Sequence, residues 1–214
     1  MSTKRRSQNL ELMGQRTRKK LLDVAVECLI ELGVAGTTTL AVQHRAEVSR
    51  GALLHHFPSH AELLAATVTE LVVRNELAVS ASRQKAQTIE DPLERAMHAL
   101  AYAARQPAYL AELELWAVAR TDPHLKRVLL AAERAARRDS QRVHEMLFRE
   151  WSDCEAFQEV IALTQHFMRG LAISENLRSS ASRRDRLIAA WTKAARLMLE
   201  QNHTVATGKL RHQR

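Results

Sequence analysis

The sequence predicts an all-α fold, with a three-helix head carrying a helix-turn-helix and a larger helical body behind it. Three observations carry that prediction. Apolar residues recur at helical spacing through most of the chain, with no strand alternation, internal repeat or low-complexity tract. Aromatic residues are 4% of the 214, beside only 6 Gly and 4 Pro, a composition that suits helices better than a sheet. Pro58, Pro92, Pro107 and Pro123 each stand at a predicted helix start, where a missing N–H is harmless.

An apolar content of 46% is enough to bury a real core in a chain of this length. The formal net charge of +8 favours an acidic partner, either nucleic acid or an anionic membrane surface. Net charge alone does not decide between these. No apolar run is long enough to span a bilayer and no apolar stretch marks a leader; with the motif below, DNA is the expected partner and no membrane is. Cys28 and Cys154 lie far apart and read as small core residues of a reduced, cytoplasmic protein.

In chain order, residues 1–14 are polar and unpatterned, include Lys4-Arg5-Arg6, and read as a disordered basic arm suited to phosphates or a minor groove. The first helix is expected from about Gln15 to Leu32, with Leu21, Leu22, Ala25, Cys28, Leu29 and Leu32 on one face and Gly33 ending it. Its start carries Arg16, Arg18, Lys19 and Lys20. Cations there oppose the helix dipole by up to about 1 kcal/mol each, so phosphates are the expected compensating charge.

Thr37–Phe57 reads as two short helices joined by a tight turn. Thr37 and Thr38 can cap the first, whose apolar face would be Leu40, Val42 and Ala46. Ser49 caps the second, from Arg50 to about Phe57, with Leu53 and Phe57 turned inward. Its first turn is Arg50-Gly51-Ala52, and Gly costs about 1 kcal/mol in a helix interior. Such small residues fit a face that must approach another macromolecule closely, with Arg50, His55 and His56 supplying donors. The pattern is that of a helix that enters a DNA major groove.

The residues here resemble the N-terminal domain of the tetracycline-repressor (TetR) family. The resemblance covers roughly Arg16–Leu71 and rests on Leu21-Leu22-Asp23-Val24-Ala25, Leu29-Ile30-Glu31-Leu32-Gly33, Thr37-Thr38, Ala46-Glu47-Val48-Ser49-Arg50-Gly51-Ala52-Leu53 and His55-His56-Phe57-Pro58-Ser59-His60-Ala61-Glu62-Leu63-Leu64. The family usually has Gly where Glu47 stands, Ala at Gln43, a phosphate-reaching Tyr at Leu54 and a Lys at His60. Leu54 cannot make that phosphate contact. The implied DNA-contacting set is Arg16, Thr37, Thr38, Ser49, Arg50, Gly51, Ala52, Leu54, His55, His56 and His60. Arg50 is expected to read a base, with Thr38, Ser49, His55 and His60 on phosphates.

Ser59 with Glu62 three residues on forms a capping box that opens a long helix to about Arg83. A loop near 86–90 follows, and then five helices over about 92–105, 107–120, 123–150, 153–179 and 183–201. Asp91, Asp122, Ser152 and Ser182 stand at starts, and a polar tail runs over 203–214. The predicted organisation is an arm (1–14), a helix-turn-helix domain (15–60), a helical body (61–202) and the tail.

Ile161, Thr164, Met168 and Leu171 line one face of the fourth body helix, with Gly170 inside that helix. Leu187, Trp191 and Met198 line one face of the last. The resemblance implies that these two helices meet their copies in a four-helix dimer interface; otherwise the stripes pack on their own chain. Met97, His98, Tyr102, Leu113, Trp116, Asp139, Val143 and Phe167 could line a cavity for a small-molecule effector, or could be ordinary core. Asp139 falls on the buried stripe of its helix, where a carboxylate needs an Arg or a cationic ligand as partner.

Catalysis finds little support. There is no Gly-rich phosphate loop, nucleophile elbow or Cys-x-x-Cys pair. His55-His56 with His60 is the densest histidine cluster, but adjacent helical side chains point about 100° apart and Pro58 interrupts the i,i+4 geometry. No metal, cofactor or enzymatic activity is expected. The expected function is a homodimeric, ligand-responsive regulator, a repressor, on a double-stranded palindromic operator. The rivals are a basic DNA-binding protein without effector, and an all-helical small-molecule binder or enzyme.

Overall fold

A computed structural model describes the backbone of residues 2–211, and the side chains of 11–138 and 140–200. The described residues form nine α-helices and no strand. They are α1 (Ser2–Gly36), α2 (Thr39–Ala46), α3 (Arg50–His56), α4 (His60–Lys85), α5 (Pro92–Ala103), α6 (Pro107–Ala119), α7 (Pro123–Leu147), α8 (Phe157–Leu177) and α9 (Ala181–Arg211), with a short 3-10 turn at Arg149–Trp151. None of the helices is long and apolar enough to cross a membrane.

Two compact units are present, neither of them one continuous stretch: 1–74 with 111–135, and 75–110 with 136–214. In the first, Leu21, Ala25 and Cys28 of α1, Val42 and Ala46 of α2, Leu53 of α3, Phe57 and Leu63 form one buried cluster. Burying a Leu or Phe side chain is worth about 1.5–3 kcal/mol, so these contacts hold the short helices α2 and α3, which could not stand alone. In the second, Leu93, Met97 and Leu100 of α5 pack with Phe148, with Phe157, Val160, Ile161 and Met168 of α8, and with Ile188, Ala195 and Leu199 of α9.

Most helix starts are where the cap chemistry puts them. Asp91 Oδ1 accepts from the Glu94 N–H at 2.8 Å and Asp122 Oδ1 from the Leu125 N–H at 3.0 Å. Ser59 Oγ accepts from the Glu62 N–H at 3.2 Å. Several expectations need correction. The backbone is helical from Ser2, where a disordered arm over 1–14 was expected, because that stretch holds no Pro and no Gly before Gly14. Gly33 does break the first helix where expected, with non-helical backbone (φ 69°, ψ −176°), and only a short helical turn follows it to Gly36. The last helix continues past Asn202 to Arg211 and is capped by Ser180, whose Oγ accepts from the Arg183 N–H, rather than by Ser182. Ser152 does not open α8: its hydroxyl donates to the Arg149 carbonyl, and the helix begins at Phe157 without a side-chain cap. Leu32 and Leu40, expected on apolar faces, are more than half exposed.

Candidate nucleic-acid interface

α2 and α3 are each capped by a hydroxyl from the preceding residue. Thr38 Oγ1 accepts from the Ala41 N–H and Ser49 Oγ from the Ala52 N–H, both at 3.1 Å. Between the helices the chain turns at Glu47, whose φ of 53° lies in the left-handed region. There the Glu47 N–H bonds the His44 carbonyl at 3.1 Å and the Val48 N–H bonds the Gln43 carbonyl at 3.3 Å, which closes α2 as a Schellman turn.

The inward face of α3 is Leu53, backed by Phe57, both nearly fully buried. Arg50, Gly51, Leu54 and His55 are exposed, and Ala52 and His56 are half-buried. A Cβ added to Gly51 would come no closer than 3.9 Å to any neighbour, the Ser49 hydroxyl. Nothing inside the fold therefore demands glycine there. Arg16, Thr38, Ser49 and His60 are exposed as well.

Thr37 departs from the expected set. Its side chain is buried, and its hydroxyl donates to the Gly33 carbonyl at 2.7 Å. It therefore cannot reach a phosphate and instead closes the corner between α1 and α2. His60 is partly committed to the same corner: its Nε2–H donates to the Thr37 carbonyl at 2.7 Å. Only the other ring nitrogen remains for an outside partner.

Three contacts that no local pattern announces hold this unit in shape. Arg45 of α2 makes a two-pronged ion pair with Glu31 of α1 at 2.5 and 2.9 Å. Arg74 of α4 reaches Asp23 of α1 at 2.5 Å. Glu114 of α6 accepts from the Val34 N–H at 2.9 Å, just beyond the kink at Gly33. Arg18 lies 5.2 Å from the centre of the Phe57 ring, which places a fixed cation beside α3. Burial, the neighbouring His55 and the Arg18 charge together push the His56 imidazole below its ordinary range. Among the described residues no group of three His, Cys, Asp or Glu side chains could hold a metal ion. Both cysteines are free thiols, Cys28 within the first core and Cys154 half-buried in the second unit.

The residues expected to line one effector cavity are not brought together. Leu113 and Trp116 belong to the first unit, where Trp116 borders an apolar cleft of about 360 Å³ with Leu129 and Leu130. Met97 is fully buried among core side chains and offers no cavity wall. Phe167 stacks on Trp191 at 5.9 Å, and Val143 is half-buried on α7. The side chain of Asp139 lies outside the described residues. Of that set, His98 and Tyr102 share a cavity, one of about 200 Å³ whose other polar walls are Ser82, Lys85, Arg105, Arg184 and Asp185. Lys85 was overlooked because it lies beyond the end expected for that helix, near Arg83, whereas α4 runs to Lys85.

The stripes assigned to a dimer interface turn inward as well. Ile161, Thr164 and Met168 are buried within the second core, and Leu171, Trp191 and Met198 pack against it. The Trp191 indole N–H donates to Thr164 Oγ1 at 3.0 Å, which fixes that face of α8 against α9. Leu187 alone of the set is exposed. The outer faces carry exposed apolar side chains, Leu163, Ile173 and Leu177 on α8 and Leu197 on α9, with Leu187 at the exposed edge of the inward stripe, one turn before Trp191. Gly170 lies on that outer face of α8, with open space where a Cβ would be.

Comparison with known proteins agrees with this geometry. Residues 21–67 match the family described as bacterial regulatory proteins, tetR family. The HTH-type transcriptional regulator CymR of Pseudomonas putida is 28% identical over 200 residues, covering 92% of this chain and 96% of CymR. An HTH-type transcriptional regulator of Mycobacterium tuberculosis is 30% identical over 166 residues, covering 74% of this chain and 82% of that protein. Among solved structures, a TetR-family regulator from Rhodococcus sp. matches with a TM-score of 0.63 at 19% identity, over 86% of this chain and 99% of its own. The multidrug binding protein EbrR has the same fold, with a TM-score of 0.57 at 16% identity, over 82% of this chain and 93% of its own. The chain belongs to the tetR family of helix-turn-helix, DNA-binding transcriptional regulators.

Proposed function

We propose that this regulator is a ligand-responsive repressor that acts in the cytoplasm, binds a palindromic operator as a homodimer and releases it when a small molecule occupies the second unit. The observation that carries the reading is the surface of α3. Arg50, Gly51 and His55 face outward while Leu53 and Phe57 anchor the helix from behind, so base-reading groups stand on a fixed support. Arg50 is the candidate base reader, since a guanidinium suits a guanine edge. Arg16, Thr38, Ser49, His55 and the free nitrogen of His60 are candidate phosphate contacts.

One α3 touches too few bases for specificity, and a two-fold pair about 34–36 Å apart reads a palindrome. The pairing surface fits the outer faces of α8 and α9. Leu163, Gly170, Ile173 and Leu177 recur at i+3, i+4 or i+7 along one, and Leu187, Ala190 and Leu197 along the other, all exposed. A small-molecule effector is supported by the solved relatives: EbrR was crystallised with imidazole and with proflavin. Release follows if the effector shifts α4, one continuous helix from His60 beside the recognition helix to Lys85 at the cavity. A coupling of about 1–3 kcal/mol is enough to change operator affinity roughly 5–150-fold.

The test is a gel shift and footprint on the chain's own upstream DNA, with sedimentation of the free protein. The reading expects a dimer, a symmetric footprint and loss of the dimer in Gly170→Trp. A monomer with an asymmetric footprint would refute it.

A further inference from the structure

We infer that the cavity walled by the end of α4, by α5 and by the start of α9 binds a small organic monoanion, a monocarboxylate on a compact apolar body. As the effector site of the proposed repressor it rests on that reading for the consequence of binding, but not for binding itself.

The cavity holds about 200 Å³, below the ~300–1,000 Å³ of drug-sized sites, so its ligand is compact. Ala86, Ile89, Ala101 and Ile188 give it an apolar floor. Its charges decide the rest. Arg184 is largely buried and already matched by Glu175 at 3.3 Å and Asp185 at 3.5 Å. Arg105 leans on the same Glu175 at 3.7 Å. Lys85 has no carboxylate partner among the described residues. Its ammonium donates to the Tyr102 hydroxyl oxygen and sits 4.1 Å from the centre of that ring.

One positive charge, on the exposed Lys85, is therefore left without a carboxylate partner at the mouth of a cavity with an apolar floor. Because the Tyr102 oxygen accepts from Lys85, its own O–H remains free to donate. The His98 ring, on the same wall, makes no hydrogen bond to the described residues and is a third donor at hand. An ammonium and a phenol O–H side by side match the two oxygens of one carboxylate. A neutral ligand would leave Lys85 unanswered, a cation would be repelled, and a phosphate dianion would bring more charge than the cavity leaves uncompensated.

The experiment is calorimetric titration and thermal shift of the full chain without DNA. The probes are hexanoate and benzoate, against hexanamide, benzamide, hexylamine and inorganic phosphate. The acids are expected to bind and to raise the melting temperature, with the amides and the amine inert. Lys85→Met should weaken acid binding about tenfold or more, the loss of a charge-assisted hydrogen bond. Tyr102→Phe, which removes only the O–H and leaves the ring packed, should weaken it less, and circular dichroism checks that both variants are folded. Amides binding as well as acids, tighter binding of phosphate, undiminished acid binding by folded Lys85→Met, or no binding of either acid would overturn the site. Acid binding that fails to release operator DNA would support the site and sink the repressor reading. Specific DNA binding with no acid bound would do the reverse.

Discussion

His60 donates from Nε2 to the Thr37 carbonyl at 2.7 Å, while the Thr37 hydroxyl donates to the Gly33 carbonyl, also at 2.7 Å. These two bonds tie the first residue of α4 to the corner where α1 turns into α2. His60 thereby supports the DNA-reading unit from within, whatever it does for a phosphate. His60→Ala should lower stability by about 0.5–1.5 kcal/mol, the worth of one hydrogen bond, and weaken binding to all DNA sequences alike. His60→Gln, which keeps an N–H donor, should recover most of the stability. Urea melts of the two variants decide it; equal losses would mean the bond contributes nothing.

At the kink, Gly33 has φ 69° and ψ −176°, and a Cβ there would lie 2.6 Å from Glu114 Oε1. The backbone requires glycine, since few side chains tolerate it, and a Cβ would in addition displace the Glu114 carboxylate from the Val34 N–H. Gly33→Ala should destabilise by about 1–3 kcal/mol. In a Glu114→Ala background the same change should cost less, since only the backbone strain remains. A double-mutant cycle by denaturant unfolding measures the difference, and strict additivity would contradict the contact.

Glu47 is the described non-glycine residue with a positive φ, and its side chain is exposed. Left-handed backbone costs a residue with a Cβ roughly 1–2 kcal/mol, part of which glycine gives back as unfolded-chain entropy. Glu47→Gly should therefore stabilise the unit by about 0.5–1 kcal/mol with DNA affinity unchanged, read from thermal melts and gel shifts. A lower melting temperature would show that the carboxylate has a role of its own.

Acidification bears on two imidazoles. Burial lowers the His144 pKa from the ordinary 6.5, against a weaker opposing bond from the Ser140 backbone, and burial first, then His55 and Arg18, lowers that of His56. With folded values depressed, the unfolded chain binds protons more readily. Their contribution is then complete above about 6.5 and is lost as pH falls through the folded values. Melting temperature should fall between about pH 7.5 and about pH 5, and His144→Gln should flatten that slope. Asp91, held low by its cap bond to Glu94 and by Arg196 against burial, adds a loss only below its ordinary 3.8. A protein that gained stability on acidification would refute the assignment.

The head was legible in the sequence because its determinants are local. Thr38, Ser49 and Ser59 cap the residues three positions on, and Leu53 and Phe57 repeat one turn apart, so each signal lies within a single turn. Thr37 was misread because a threonine at a helix start can either cap or turn inward, and the backbone at Gly33 chose the second. The body was legible as helices but not as faces. α8 carries apolar residues most of the way round, so its periodicity could not say whether Ile161 and Met168 or Leu163 and Ile173 faced the chain's own core. The Trp191–Thr164 bond decides that, across 27 residues of sequence separation. The cavity was harder still: Lys85, Tyr102 and Arg184 meet through three helices, and no window of sequence contains them together.

The most direct test of the central claim is selection of bound fragments from random double-stranded DNA, for wild type and Arg50→Ala in parallel. The account predicts that wild type enriches an inverted repeat with half-sites about one helical turn, 34–36 Å, apart. Arg50→Ala should still bind DNA but lose preference at one base of each half-site, a loss of about 1–3 kcal/mol of discrimination. No enriched sequence for wild type, or the same inverted repeat selected just as strongly by Arg50→Ala, would contradict it.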